Sequence, residues 1–210
     1  IQNIRQVIDP AKIDIVVANH AETDHSGGLG AVLRHCPNAT RVVSKRGEES
    51  VEGHYHQPWN FRQVKTGDTI NIGKNNLVFI EATMLHWPDS MFTYLTGHNI
   101  LMSNDAFGQH YATALRFNDQ VDNEELYEEA LKYYANILTP FSALVTKKIN
   151  EVVALSKAFS HRYPHIRSVI DIGGEDSKLV TFDEGADGSL RVKDFSMNAL
   201  CAAGTGSFLD

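Results

Sequence analysis

Six residues between positions 20 and 105 are of the types that hold transition metals, and four of them crowd into one short run. His20, Glu22, Asp24 and His25 all lie within His20-Ala21-Glu22-Thr23-Asp24-His25, while His86 and Asp105 follow further along the chain. In extended backbone alternate side chains point to the same side, so His20 and Glu22 share a direction that Asp24 and His25, entering the next bend, do not. One ion cannot readily take all four, whereas two adjacent ions can. An Asp carboxylate has two oxygens and can bridge such a pair. Three imidazoles with three carboxylates form a set rich in hard oxygen donors, which suits iron or manganese better than a thiolate or all-imidazole set would. Their negative charges also stabilise a ferric state. Taken alone, His86 or Asp105 would more often be a structural hydrogen-bonding residue; the cluster makes them ligand candidates. Of the ten histidines, His54, His56, His98 and His161 are expected at the surface. His110 is expected just behind the ligands, and Trp87 in rim or core packing.

A ligand run needs rigid elements on either side. Residues 13–18, Ile13-Asp14-Ile15-Val16-Val17-Ala18, read as a buried strand whose nearly continuous apolar character fits a sheet covered on both faces. A short helix ending near Pro10 precedes it. The polar, glycine-containing stretch 19–30 feeds a helix over 29–35 that Pro37 stops. Then come a strand over 40–44, a short helix over 46–53 and a strand over 76–84 that stops at His86-Trp87-Pro88. A hairpin with arms 91–95 and 99–102 and Gly97 at its turn delivers Ser103-Asn104-Asp105. His86 and Asp105 thus fall at strand ends, from which a layered αββα sheet would aim them at one edge. From Asp122 the pattern becomes helical, with Asp122 as cap, Glu124 and Glu125 at the positive helix start, and Leu126, Ala130, Tyr134 and Ile137 on one face. Pro140 should kink or restart that helix, which then runs to about residue 148.

After residue 150 the character changes. A helix over 151–162 is followed by three short strands at 168–172, 178–183 and 190–195, joined by glycine-containing turns. The fold class is therefore α/β, with one domain over 1–149 and a different segment over 150–210. The junction near 149–151 is abrupt, and there is no internal repeat or low-complexity linker.

Bulk properties exclude several classes of function. A net charge of −7 with a pI near 5.8 argues against nucleic acid, because phosphate binding needs clustered Lys and Arg. The densest basic stretches are only Lys45-Arg46 and Lys147-Lys148. No apolar run approaches the roughly 18–20 residues of a membrane span. The opening Ile1-Gln2-Asn3-Ile4-Arg5-Gln6-Val7 lacks the pattern of a secretory signal, and the chain reads as an excised piece. Two cysteines, Cys36 and Cys201, form no disulfide framework and suit a reducing cytoplasm.

The runs Asn19-His20-Ala21-Glu22-Thr23-Asp24-His25-Ser26-Gly27, Met84-Leu85-His86-Trp87-Pro88-Asp89-Ser90-Met91 and Ser103-Asn104-Asp105-Ala106-Phe107-Gly108 together resemble the flavodiiron proteins over about residues 1–149. The resemblance implies a metallo-β-lactamase-like αββα sandwich holding two Fe ions. It would place His20, Glu22 and His86 on one iron, Asp24 and His25 on the other, and Asp105 across both. It further implies reduction of O2 to water or of NO to N2O, with electrons from FMN of a flavodoxin-like domain or from a donor such as rubredoxin, in a head-to-tail homodimer. It also places Trp87 near where a flavin approaches. Zinc hydrolases of the same fold usually carry His where this chain has Glu22, which favours iron redox chemistry over metallo-hydrolysis.

The sequence also departs from that family. The further His that the family supplies to its second iron, the flavodoxin-like domain and the opening strands of the fold are not recognisable, so the domain reads as truncated and slow or inactive alone. His165 precedes a strand instead of following one, and the second iron is expected to keep an open position.

Asp171-Ile172-Gly173-Gly174-Glu175-Asp176-Ser177-Lys178 follows a strand, and paired glycines there let backbone N–H groups close on a phosphate. With the stretch 198–209 around Cys201, it resembles the ATP-dependent activators of 2-hydroxyacyl-CoA dehydratases over roughly 150–210. That resemblance implies a partial actin-like ATPase segment, with Asp171, Gly173 and Gly174 facing ATP phosphate or Mg and Cys201 ligating a 4Fe-4S cluster. An activator fragment, or a fusion with no selected function, is the alternative to a di-iron oxidoreductase domain.

Overall fold

The computed structural model describes the backbone of residues 1–98, 100–115, 117–160, 168–172, 177–184 and 190–197, with side chains described up to residue 154. Strands β1 (Ile15–Ala18), β2 (Thr40–Ser44) and β3 (Arg62–Val64) form a parallel sheet in that order. The second sheet is built from β4 (Thr69–Asn71), β5 (Asn76–Glu81), β6 (Met91–Leu95), β7 (Ile100–Met102), β8 (Ser168–Ile172), β9 (Ser177–Glu184) and β10 (Leu190–Met197). Its spatial order is β10-β9-β8-β7-β6-β5-β4, antiparallel except where β7 meets β8.

Alternation of side chains along the strands decides how the sheets stack. On β5, Leu77 and Phe79 join Val42, Met91, Ile15 and Val17 in a core between the two sheets. The intervening Val78 and Ile80 point the other way and pack with Phe92, Tyr94 and Leu101. Helices α5 (Asn123–Tyr133) and α6 (Ser142–Ser160) cover that second face through Tyr133, Val145 and Val152. On β1, Val16 and Ala18 turn outward against Leu29 and Leu33 of α3 (Leu29–His35) and Val51 of α4 (Lys45–Tyr55). The layers are therefore helix, sheet, sheet, helix, as the sequence suggested. β1 is covered on both faces but stands at the edge of its sheet, so its residues are half-buried despite their apolar run.

The helix over 29–35 and the strands over 40–44 and 91–95 fall where the sequence places them. Gly97 adopts φ +79 at the hairpin turn, a conformation open to glycine without Cβ strain. Asp122 caps α5, accepting from the backbone N–H of Glu124 and Glu125 at 2.9 and 3.1 Å. At Pro140 the helix does break, through a π turn at Tyr134–Leu138 and a 3-10 turn at Thr139–Phe141, before α6 begins. The strand expected over 76–84 ends at Glu81, because Ala82 N–H turns to Ser90 O and Leu85 N–H to Ala82 O. His86 consequently sits in a loop and not on a strand end. Sequence reading missed β3 and β4, each only three residues long and mostly polar and exposed.

Helix α6 runs without interruption through residues 149 and 150, and β8 joins β7 through the pair Ile100↔Ile170. Asp171 lies in β8, of which the backbone alone is described; Gly173, Gly174, Cys201, His161 and His165 lie outside the described residues. No helix among the described residues is long and apolar enough to cross a membrane.

Phe79 is fully buried in the inter-sheet core. Phe79→Ala is expected to cost about 3–5 kcal/mol of folding stability, read as a lowered urea midpoint. Val7→Ala, at a residue 87% exposed, should leave the midpoint unchanged.

Candidate metal centre

The ligand run leaves β1 and is pinned at once to the second sheet. Met91 N–H donates to Asn19 O at 2.9 Å and Thr93 Oγ1 donates to Asn19 Oδ1 at 2.7 Å. His20 follows, buried, and Glu22 sits just ahead of the one-turn helix α2 (Thr23–Ser26), which carries Asp24 and His25. Ser26 Oγ donates to Ala21 O at 2.6 Å and meets the Tyr55 hydroxyl at 2.7 Å, tying the run to α4. His20 and Glu22 pair directly, and Asp24 and His25 come from the following turn, but His25 still converges with His20 on Asp105 Oδ2.

Asp105 arrives from the far end of β7, in a 3-10 turn over Asn104–Phe107. Asn104 adopts φ +43, a left-handed conformation that Asn tolerates better than most residues. Its side chain donates to Met91 O at 2.8 Å and accepts from Asp105 N–H at 2.9 Å. Tyr133 Oη donates to Asp105 O at 3.1 Å, and Gly108 makes room for that ring, since a Cβ there would lie 2.5 Å from Tyr133 Cζ. His86 projects from the 82–90 loop, anchored by fully buried Leu85.

All six residues meet. Asp105 Oδ2 lies 3.0 Å from His25 Nε2, 3.4 Å from His20 Nε2 and 3.6 Å from His86 Nε2. Glu22 Oε2 lies 3.2 Å from His20 Nε2 and 3.9 Å from His86 Nε2, and Asp24 Oδ2 is 3.5 Å from His25 Nε2. One atom each from His20, Glu22, His86 and Asp105 falls within 4.8 Å of the others. Metal–ligand bonds of roughly 2.0–2.2 Å put two ligands of one ion at most about 4.4 Å apart. The contacts of Glu22 and Asp105 with His20 and His86, at 3.2–3.9 Å, lie inside that limit, so these four residues could hold an ion with only small adjustment. Among the described residues Asp24 and His25 stand beside that group, with His25 Nε2 between Asp105 Oδ2 at 3.0 Å and Asp24 Oδ2 at 3.5 Å. The face bearing Glu22 and Asp24 is open, with those side chains 32% and 39% exposed, whereas His20 is 1% exposed.

Sequence reading missed Asp89. Its fully buried carboxylate accepts from Ala21 N–H at 2.6 Å and lies 3.1 Å from His20 Nδ1. The only sequence signal was its place three residues after His86. Trp87 meets His20 edge-on at 5.4 Å and is half-buried, consistent with rim packing. His54, His56 and His98 are exposed as expected. His110 is exposed too and meets Tyr133 edge-on at 5.1 Å, and Tyr133 in turn donates to Asp105 O.

Without a cation, protons neutralise the cluster. Burial opposes charge on His20, but Asp105 and Asp89 outweigh it and push its pKa up to about 10. Burial likewise opposes charge on Asp105, yet hydrogen bonds from His20, His25 and His86 hold its carboxyl well below the usual carboxylate range. His25 is raised against the same burial cost, chiefly by Asp105. The stabilisation from His20 is full below its ordinary pKa of about 6.5 and is lost as pH rises through about 10. That from Asp105 is present above about 3.9 and is lost only in strong acid. A bound ion displaces the imidazole protons. The melting temperature of metal-free protein should therefore fall between about pH 7 and pH 10, and metal should remove that fall. Parallel pH profiles with and without metal would contradict this.

Residues 1–164 match the family described as ODP family beta lactamase. Over 158 residues the chain is 57% identical to the anaerobic nitric oxide reductase flavorubredoxin of Vibrio vulnificus (strain YJ016), covering 74% of this chain and 32% of that one. Among solved structures it is similar to rubredoxin oxygen:oxidoreductase from Desulfovibrio gigas, at 37% identity and a TM-score of 0.70, over 79% of this chain and 40% of that one. The flavodiiron protein from Giardia intestinalis is similar at 36% identity and a TM-score of 0.70, over 80% and 39%. The chain spans about a third of the length of the curated relatives it matches. With the αββα layers, these matches establish that the chain belongs to the ODP family beta lactamases, the metallo-β-lactamase-like domain of flavodiiron proteins.

Proposed function

We propose that this chain is the metal-bearing domain of a di-iron reductase of NO or O2. The observation that carries this reading is the position of Asp105, whose Oδ2 lies within 3.0–3.6 Å of the Nε2 atoms of His25, His20 and His86. In this reading His20, Glu22 and His86 hold one iron, Asp24 and His25 the other, and Asp105 bridges. The three carboxylates offset most of the charge of two divalent ions, which lets the pair sit close together in a partly buried edge. Two ferrous ions held by these residues would supply two electrons, enough with two protons to couple two NO into N2O and water, whereas the four-electron, four-proton reduction of O2 to water would draw its other two electrons from the flavin donor. Hydrogen bonds at Asn19, Asn104 and Asp89 tie the ligand-bearing segments to their neighbours, which supports a site built to hold its ligands together. The open face beside Glu22 and Asp24 is where a diatomic substrate reaches the centre.

Relatives support both substrates: the Vibrio vulnificus protein is a nitric oxide reductase by name and the Desulfovibrio gigas protein an oxygen:oxidoreductase. Their names also point to rubredoxin-type donors. FMN on a flavodoxin-like unit and a homodimer complete the proposed working form, in a reducing cytoplasm. The carboxylate-rich donor set, with Glu22 beside His20, favours iron over a zinc hydrolase. For residues 150–210, the activator-ATPase reading, with its ATP, Mg and 4Fe-4S cluster, rests on sequence resemblance alone.

Anaerobic reconstitution with ferrous iron should give about two irons per chain, with His25→Ala retaining about one and Asp105→Ala losing most of both. Loaded protein supplied with reduced flavin should consume NO or O2. Zinc retention with esterase activity and no iron uptake would overturn the proposal.

A further inference from the structure

We infer that Asp89 is a positioning residue of the metal centre: it accepts the Nδ1–H of His20, fixes the tautomer that presents Nε2 to the ion, and strengthens that nitrogen as a donor. The inference rests on the metal reading proposed above. Its geometric basis is independent of any ion. Asp89 Oδ2 is 3.1 Å from His20 Nδ1, while His20 Nε2 faces Glu22 and Asp105 at 3.2 and 3.4 Å. Because an imidazole has two distinct nitrogens, occupying one with a carboxylate determines which remains for the ion.

The same carboxylate joins two ligand-bearing segments. It accepts from Ala21 N–H at 2.6 Å, and Ser44 Oγ donates to the Asp89 carbonyl at 3.2 Å. Asp89 thus fixes the ring of His20 and at the same time seats the His86 loop against the His20 run and the start of α4. Its other oxygen, Oδ1, is buried without a hydrogen-bond partner in the described structure, so both contacts to the His20 run, from Ala21 N–H and His20 Nδ1, fall on Oδ2. A clasp with a purely structural role could be met by a neutral amide. Asp89→Asn keeps the shape and an acceptor oxygen but removes the charge, and so separates the two roles.

The test measures ferrous-ion affinity by competition with a chelator, for wild type and Asp89→Asn, together with 15N shifts of His20 in wild-type protein loaded with zinc as a diamagnetic probe. The expected results are about 10–100-fold weaker binding of the ion that shares His20, near-unchanged binding of the ion on Asp24 and His25, and His20 bound through Nε2 with Nδ1 protonated. Unchanged affinity for both ions in Asp89→Asn, or ligation through Nδ1, would overturn the inference and leave the metal reading intact. A wild-type chain that takes up no ion would overturn both. Should Asp89→Asn fail to fold, as judged by circular dichroism, the wild-type 15N shifts decide the matter.

Discussion

The centre of this structure is an electrostatic constraint. Three carboxylates and three imidazoles converge at one sheet edge, with Asp105 Oδ2 between His25, His20 and His86. Carboxylates this close and partly out of water repel one another unless protons or cations lie between them. In metal-free protein Asp105 raises the pKa of His20 and of His25, and their hydrogen bonds hold its own carboxyl well below the usual carboxylate range. Two cations would replace those protons and release the imidazole nitrogens as donors. The fold must therefore hold charged side chains in place against their own repulsion and the cost of their burial.

It does so by dividing the ligands among three segments and tying each to rigid structure. The run from His20 to His25 hangs between β1 and α3, and is fastened to β6 through Asn19 and to α4 through Ser26. Asp105 is set by Asn104 and Tyr133. His86 rides on a loop whose neighbour Leu85 is sunk in the larger core. Asp89 crosses from that loop to the His20 run, so the two segments are not independent. The two sheets supply the platform: their shared core of Val42, Phe79 and Met91 fixes the distance between β1 and β6, and through it the distance between the ligand run and Asp105.

Much of the architecture was legible in the sequence because long apolar alternation and strong caps dominate locally. The helix over 29–35, the strands over 40–44 and 91–95 and the cap at Asp122 all obey local rules. The short strands β3 and β4 were not legible, since three residues carry too little periodicity and owe their conformation to neighbours. The early end of β5 was hidden for a related reason. Its continuation is apolar enough to extend the strand, but Ala82 and Leu85 exchange ladder bonds for a tight loop that aims His86.

By itself the sequence determined the donor types, their number and the division of the first four between two directions, because those follow from residue identity and from backbone periodicity over a few positions. Tertiary structure alone decided that His86 and Asp105, sixty and more positions away, close on the same point. It also decided that Asp89 stands behind His20. Both depend on the stacking of two sheets through a common core, and side-chain packing of that kind has no signature in local spacing.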